Sequence, residues 1–474
     1  MAYKRGDREQ VMMFPATIEE YVGNDDPVRA YDAFVEALNL EELGIEVEED
    51  KVGNSAYDPK TMLKILVYGY SYGWRSSRKL ERALHHNLSF IWLTGGMKPD
   101  HKTISKFRRD NSDALKKVLK QCVRLCIDLK LIEGNTLFID GSKIRANASI
   151  SHTWTEEKCR KVLERTDKQI EEILKECEQA DNDESETQIG LSKELSDKQA
   201  LKEKVQSIME RIKKEERTQF NAVDEDCVKV RGRQGTHAGY NAQIVVDEKH
   251  GLIVNSDVVN ESNDTQQFSG QVRQANEVLG RKCKTACADA GYSNVGDLKE
   301  AVGEDIEVIV PSQKQALHKP IEDDPFGKDK FVYDKENNQY VCPEGKVLKY
   351  SHYSKVKGHY LYRIQGPSNC VTCKYYGKCT DNARGRSIIR LKDESVKEGL
   401  EALYRSDLGQ EIYKKRKEKV ELPFGHIKGN LKAGAFLLRG IKRVNAEMAL
   451  LSTCFNISRM ITILGMPGIM AVLA

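Results

Sequence analysis

No charge of one sign dominates this chain. Its 474 residues hold 75 Lys+Arg against 72 Asp+Glu, a net of +3, which excludes a histone-like basic protein and an acidic disordered one. Residues 1–15 contain no apolar run, so no secretory leader is read there. The most apolar stretch, Met448 to Ala474, is interrupted by Asn456 and Arg459 and broken again at Pro467 and Gly468. A spanning helix needs about 20 unbroken apolar residues, so this stretch reads as a buried helix with an apolar tail and no membrane is expected. Twelve cysteines without a leader point to a reducing, cytoplasmic setting, where a cysteine cluster signals metal rather than a disulfide framework. There is no phosphate-cradling Gly-x-x-x-x-Gly-Lys, no dinucleotide fingerprint, and no Ser-His-Asp or Cys-His nucleophile.

What is present is unevenly spread. Residues 1–50 carry 4 basic and 14 acidic residues, 51–135 carry 17 and 7, and 405–445 carry 11 and 4. Two basic blocks in a chain long enough for two to four modules suggest a polyanion partner, with solvated helix faces as the plain alternative. Residues 16–135 read as short helices: Met62, Leu66 and Tyr70 step by four, Ser77 is placed as an N-cap, and a turn at Gly95-Gly96 precedes the basic run Asp100 to Arg109. This resembles a helix-turn-helix array, with Lys102, Lys106, Arg108 and Arg109 as its DNA-facing cations. A small helical bundle with a basic face is the alternative.

Beyond Asn135 the pattern changes. Thr136 to Ser142 reads as a buried strand ending at Asp140. Residues 153–217 are charged with sparse apolar positions at helical spacing and a polar gap from Asp181 to Gln188, as in an antiparallel helical hairpin. A β-hairpin, Tyr240 to Val259, then a helix, a strand ending at Asp289 and a strand at Ile306–Pro311 give a mixed α/β order. Residues 315–394 are polar and aromatic and hold Cys342, Cys370, Cys373 and Cys379, a Cys-x2-Cys with two outlying cysteines that can supply four thiolates to Zn²⁺. Cys122, Cys126 and Cys454 fall on apolar helix faces and read as core.

Asp140 and Asp289, at two strand ends, suit hard cations such as Mg²⁺. A third acid, Glu421, lies in the basic run Arg416 to Lys428. Asp226, Asp264 and Glu447 compete for these places and rank lower. In order, Leu137-Phe138-Ile139-Asp140-Gly141-Ser142, Asp289-Ala290-Gly291-Tyr292, and Tyr413, Arg416, Glu421 and Lys428 resemble the three motifs of the bacterial insertion-sequence DDE transposases whose third motif is Tyr-Arg-Glu-Lys. Four residues lie between Arg416 and Glu421 where that pattern has three.

The resemblance implies an RNase H-like mixed-sheet catalytic core over 133–314 and 395–474. An N-terminal helical DNA-binding domain over 1–132, a helical-hairpin arm over 153–217 and a cysteine-rich, zinc-binding insertion over 315–394 would complete the chain. It further implies two Mg²⁺ or Mn²⁺ ions on Asp140, Asp289 and Glu421, phosphate contacts from Tyr413, Arg416 and Lys428, and double-stranded DNA as partner. The expected protein is a bacterial, nucleoid-associated homodimer that cuts and joins transposon ends. Two other readings stay open: a non-catalytic repressor derived from a transposase, and an RNase H-like nuclease for branched DNA.

Overall fold

The computed structural model describes residues 17–45, 57–183, 188–232, 235–316, 325–355 and 358–473. Residues 1–15, where no secretory leader is read, and the centre of the polar gap, 184–187, lie outside the described residues. The chain forms two compact units, 1–286 with 414–474, and 287–413. Both combine helices and sheet, and the fold class is mixed α/β.

The first unit opens with seven helices: α1 (Val28–Glu36), α2 (Leu40–Leu43), α3 (Pro59–Ser71), α4 (Ser77–His86), α5 (Leu88–Leu93), α6 (His101–Asp110) and α7 (Ser112–Asp128). Side-chain caps fix several starts. Asp58 accepts from the Thr61 amide at 2.8 Å just before Pro59, and Asp100 accepts from the Thr103 amide at 2.7 Å, each satisfying an amide that has no partner inside the helix. Ser77, expected as a cap, is instead the first residue of α4; Ser76 precedes it without a side-chain cap.

The remaining elements of this unit are β1 (Thr136–Arg145), β2 (Thr153–Trp154), α8 (Glu156–Asp183), α9 (Gln188–Lys214), β3 (Phe220–Asn221), β4 (Val228–Gly232), β5 (Gly235–Asp247), β6 (Ile253–Val259), α10 (Phe268–Leu279) and β7 (Thr285–Cys287). β5 is the spine of the sheet. β1 pairs antiparallel along one edge; β4 and β6 share the other, on successive halves. β1 runs five residues past Asp140 because pairing with β5 continues to Arg145↔Gly239, so Asp140 is central in its strand rather than terminal. α8 and α9 pack along Cys159, Val205, Ile208 and Ile212, closed at the base by Phe220.

The second unit holds α11 (Val295–Gly303), β8 (Glu307–Ile309), α12 (Gln313–Ala316), β9 (Val332–Asp334), β10 (Gln339–Val341), β11 (Val347–Ser354), β12 (His359–Ile364), α13 (Ser368–Val371), β13 (Ser387–Leu391) and α14 (Glu394–Arg405). Its five-stranded antiparallel sheet has the order β13-β12-β11-β10-β9. Phe331, Tyr340, Leu348, Tyr362, Ile364 and Ile388 form its core, with Cys342, Cys370 and Cys379 against it. After this sheet come two helices, α14 and α15 (Asp407–Gly429), broken at Ser406, whose backbone is extended.

The chain ends in α16 (Ile441–Leu473) of the first unit, interrupted at Gly465. By length and composition it could cross a membrane, yet its polar residues are engaged inside the fold. Asn456 and Asn445 each make a two-way amide clamp on β6, at Ile253 and at Val258, with bonds of 2.8–3.0 Å. Eleven residues of helix and five of strand both span about 16.5 Å, so two asparagines in register can satisfy the outer edge of β6. α16 also packs on α1, α3 and α7. Cys126 meets Met460 at 3.4 Å, and the Cys454 thiol donates to the Val67 carbonyl. The three core cysteines are buried as expected. The N-terminal helices thus pack on α16 within the first unit.

Candidate active site

α15 crosses the face of β1 that carries Phe138, Asp140, Ser142 and Ile144. Ile412, Val420, Phe424 and Ile427 are its buried large hydrophobic residues, and this spacing keeps one stripe inward. Arg416, on that stripe, donates from Nη2 to Asp140 Oδ1 at 2.9 Å; the two side chains are 11% and 19% exposed. Three turns on, Lys428 donates to the Ser142 hydroxyl. Arg416 and Lys428 stand about 18 Å apart along the helix, while Asp140 and Ser142 are neighbours on one face of the strand. The two long cations thus converge on one patch. Glu421 lies between them in sequence, is exposed, and shares the stripe of Lys428 seven residues away.

The rim of this patch is positive. Burial holds the His237 imidazole below its usual range against a raising bond to the Gly235 carbonyl, and Arg145 and Lys428 push it further down. The loop after α15, residues 430–440, is clamped to the body. Glu447 is fully buried and accepts from Arg75 Nη1 at 2.6 Å and from the Leu437 and Leu438 amides at 3.0 and 2.9 Å. Arg75 also donates to the Ala435 and Lys432 carbonyls. At the far end of the loop, the Gly440 and Ile441 amides donate to Asp224 and Asp226, carboxylates set at the N-terminus of α16 where the helix dipole favours them.

The competing acids are thereby assigned other work. Asp226 caps α16 and Glu447 anchors the loop. Asp264 lies on the opposite face of β1 from Asp140, held by Lys143, Asn241 and Gln243. Asp289, in the second unit, lies two residues beyond the end of β7 rather than at it; its carboxylate accepts from the Gly291 amide at 2.8 Å and starts a 3-10 turn. Tyr413 packs edge-on against Tyr404 at 5.1 Å. On α6, Lys102, Lys106 and Arg109 are exposed along one stripe. Arg108, expected to face DNA, does not: it is 5% exposed and donates to the Tyr70 hydroxyl and the Arg75 carbonyl.

Residues 16–110 match a transposase domain family (DUF772), and residues 341–461 match the transposase DDE domain. Two separate stretches of the chain are thus similar to transposase domains. The DDE-domain match makes the chain a DNA-cleaving, phosphoryl-transferring enzyme. That match covers Tyr413, Arg416, Glu421, Lys428 and the cysteines Cys342, Cys370, Cys373 and Cys379, while Asp140 and Asp289 precede it. Comparison with curated proteins finds no match.

Among the described residues, no group of three or more His, Cys, Asp or Glu side chains is assembled to hold a metal ion. The donor chemistry still sorts the candidates. Asp140 offers hard carboxylate oxygens, one of them engaged by Arg416. In the second unit, Cys342, Cys370, Cys373 and Cys379 line one cavity of about 30 Å³. Cys342 and Cys370 sulfurs accept from the Lys346 and Arg386 amides at 3.3 and 3.4 Å, the outer contacts that a thiolate donor set uses. Burial pushes the Cys379 thiol up, Arg386 opposes this, and the other three cysteines add to it.

Sequence reasoning missed Ser142, Arg75 and the role of Glu447. Ser142 was legible in principle, since residues two apart on a strand share a face.

Proposed function

We propose that this enzyme is an insertion-sequence transposase that binds the terminal inverted repeats of its element and catalyses metal-dependent strand cleavage and strand transfer. The observation that carries this reading is the convergence of Arg416 and Lys428 on Asp140 and Ser142, which joins the first-motif strand to the third-motif helix of the DDE pattern. Asp140, Asp289 and Glu421 would hold two Mg²⁺ or Mn²⁺ ions, whose chemistry is to activate the attacking oxygen and spread charge at phosphorus. Arg416 and Lys428 then serve as phosphate ligands. A guanidinium paired with a carboxylate is already oriented, and exchanging part of that pairing for a phosphodiester costs little reorganisation. Lys102, Lys106 and Arg109 on α6 would contact the DNA backbone at the element's ends.

The core is read as RNase H-like, the α8–α9 hairpin as an arm toward a second subunit or DNA in a homodimeric synaptic complex, and the four cysteines as ligands of structural Zn²⁺. The protein is assigned to the bacterial cytoplasm, at the nucleoid. The test is Mg²⁺-dependent nicking of DNA carrying the element's ends. Asp140→Asn and Glu421→Gln, with unchanged thermal melts, are each expected to lower the rate by at least about a hundredfold, the scale of losing one charge-stabilising group. Undiminished cleavage by either variant would overturn the assignment.

A further inference from the structure

The second unit contains a surface that the active-site reading does not use. Residues 345–380 contain no Asp or Glu, although 72 acids in 474 residues would put about five there. The same stretch has seven Lys+Arg and six of the chain's 19 tyrosines. Its centre is the ribbon of β11 and β12. β10 pairs with β11 only over Val347–Lys349, so among the described residues the outer half of β11 is an edge. The β11–β12 register shifts between Tyr350 and His352, and the partners become Tyr350↔Tyr362 and Tyr353↔Tyr360.

Directly opposed residues share a face. The bulge therefore brings Tyr350 and Tyr353, three apart in sequence, to the same side with Tyr360 and Tyr362. Ring centroids follow at 5.9 Å for Tyr350–Tyr362, 6.1 Å for Tyr350–Tyr360 and 4.8 Å for Tyr353–Tyr360. The row continues inward to the buried Tyr340, 5.1 Å from Tyr362. It is anchored at that end and open at the other, where Tyr350 is 44% and Tyr353 37% exposed. The reverse face pairs Lys349 with Arg363, both exposed, and Lys355 is exposed at the tip.

We infer that this ribbon is a binding platform for unpaired DNA, with bases stacking on Tyr350 and Tyr353 and the backbone held by the field of the surrounding cations. This rests on the reading of the chain as a DNA-acting transposase. Three features select the occupant. The absence of carboxylates over 36 residues favours a polyanion. Exposed rings at the open end of the ribbon suit a partner with open π faces, which unpaired bases have and a duplex hides within its stack. The reverse-face cations Lys349 and Arg363 add a positive field to the ribbon, felt most at low salt.

The test uses the full-length protein without added divalent cation, so cleavage is silent. Binding of a labelled single-stranded oligothymidine and of a duplex of matched length is followed by fluorescence anisotropy over a salt series. At about fivefold per stacked base, Y350A/Y353A is expected to weaken single-strand binding about 25-fold. Its salt slope and its duplex affinity should be unchanged. Lys349→Gln with Arg363→Gln should instead weaken single-strand binding at low salt and flatten its salt dependence, with little difference left at high salt. Single-strand affinity unaltered by Y350A/Y353A, or lost equally for duplex, would overturn the inference while leaving Asp140 and Glu421 untouched. Absence of binding to either DNA by the wild-type chain would overturn the transposase reading with it.

Discussion

The buried pair of Arg75 and Glu447 gives the most demanding test of how the active-site loop is held. Glu447 is fully buried and Arg75 is 13% exposed at the side chain. Glu447→Gln keeps the shape and one acceptor, but three donors converge there, from Arg75, Leu437 and Leu438. The new amide hydrogens would face one of them, and the guanidinium would lose its counter-charge. Removing one partner of a buried pair costs about 3–5 kcal/mol, and that range is expected for Glu447→Gln and for Arg75→Met. The double variant Arg75→Met/Glu447→Met should recover part of this, with a coupling energy of about 2 kcal/mol or more. Urea unfolding of the four proteins yields the cycle, and hydrogen exchange reports whether the Leu437 and Leu438 amides open. A coupling below about 0.5 kcal/mol, or Glu447→Gln within about 1 kcal/mol of wild type, would refute the argument and make the contact incidental.

Two further outcomes are expected. If Cys342, Cys370, Cys373 and Cys379 hold zinc, elemental analysis of the purified chain should find about one Zn²⁺ per chain, and Cys373→Ser should lose it together with a cooperative melting step; metal-free protein with an unchanged melt would discard zinc there. Asp247 is 1% exposed and burial raises its pKa, against opposing bonds from the Gly134 and Lys249 amides. A carboxyl raised on folding binds its proton more tightly in the folded state, so its penalty is fully present at neutral pH and fades as pH falls through the raised value toward the unfolded one. The stability of D247N relative to wild type should therefore be greatest at neutral pH and decline in acid; a difference that grows in acid would contradict the sign.

Much of the molecule was readable before any coordinates. The hairpin of β5 and β6, the strand of Asp140, the paired helices α8 and α9, and the core cysteines follow from periodicity, because each buries one face of a regular element. The failures have physical causes. β1 was ended at Asp140 because a carboxylate reads as a strand stop, whereas the register with β5 carries pairing on regardless of side-chain type. Arg108 was grouped with three exposed cations because charge shows in a sequence and burial does not; only Tyr70 and the Arg75 carbonyl, 38 and 33 residues away, reveal its place. Asn456 looked like an interruption of an apolar helix, and it is one of two clamps that close the edge of β6. Long-range pairing of polar groups leaves no local periodic trace.

The bulge in β11 makes the tyrosine row depend on chain geometry more than on composition. Two tyrosines three residues apart lie on opposite sides of a regular strand, and a reader counting by twos would divide them. Here the extra residue at Ser351 and His352 cancels the odd count, as bulges do by setting two residues against one. A change near Ser351 that restored uninterrupted pairing would swing Tyr353 through half a turn to the lysine side, with no tyrosine or lysine altered. Deleting one residue at the bulge would straighten the strand and keep the row intact. Loss of a residue is thus predicted to be milder than repair of the irregularity, a reversal of the usual ranking of deletions and substitutions within a strand.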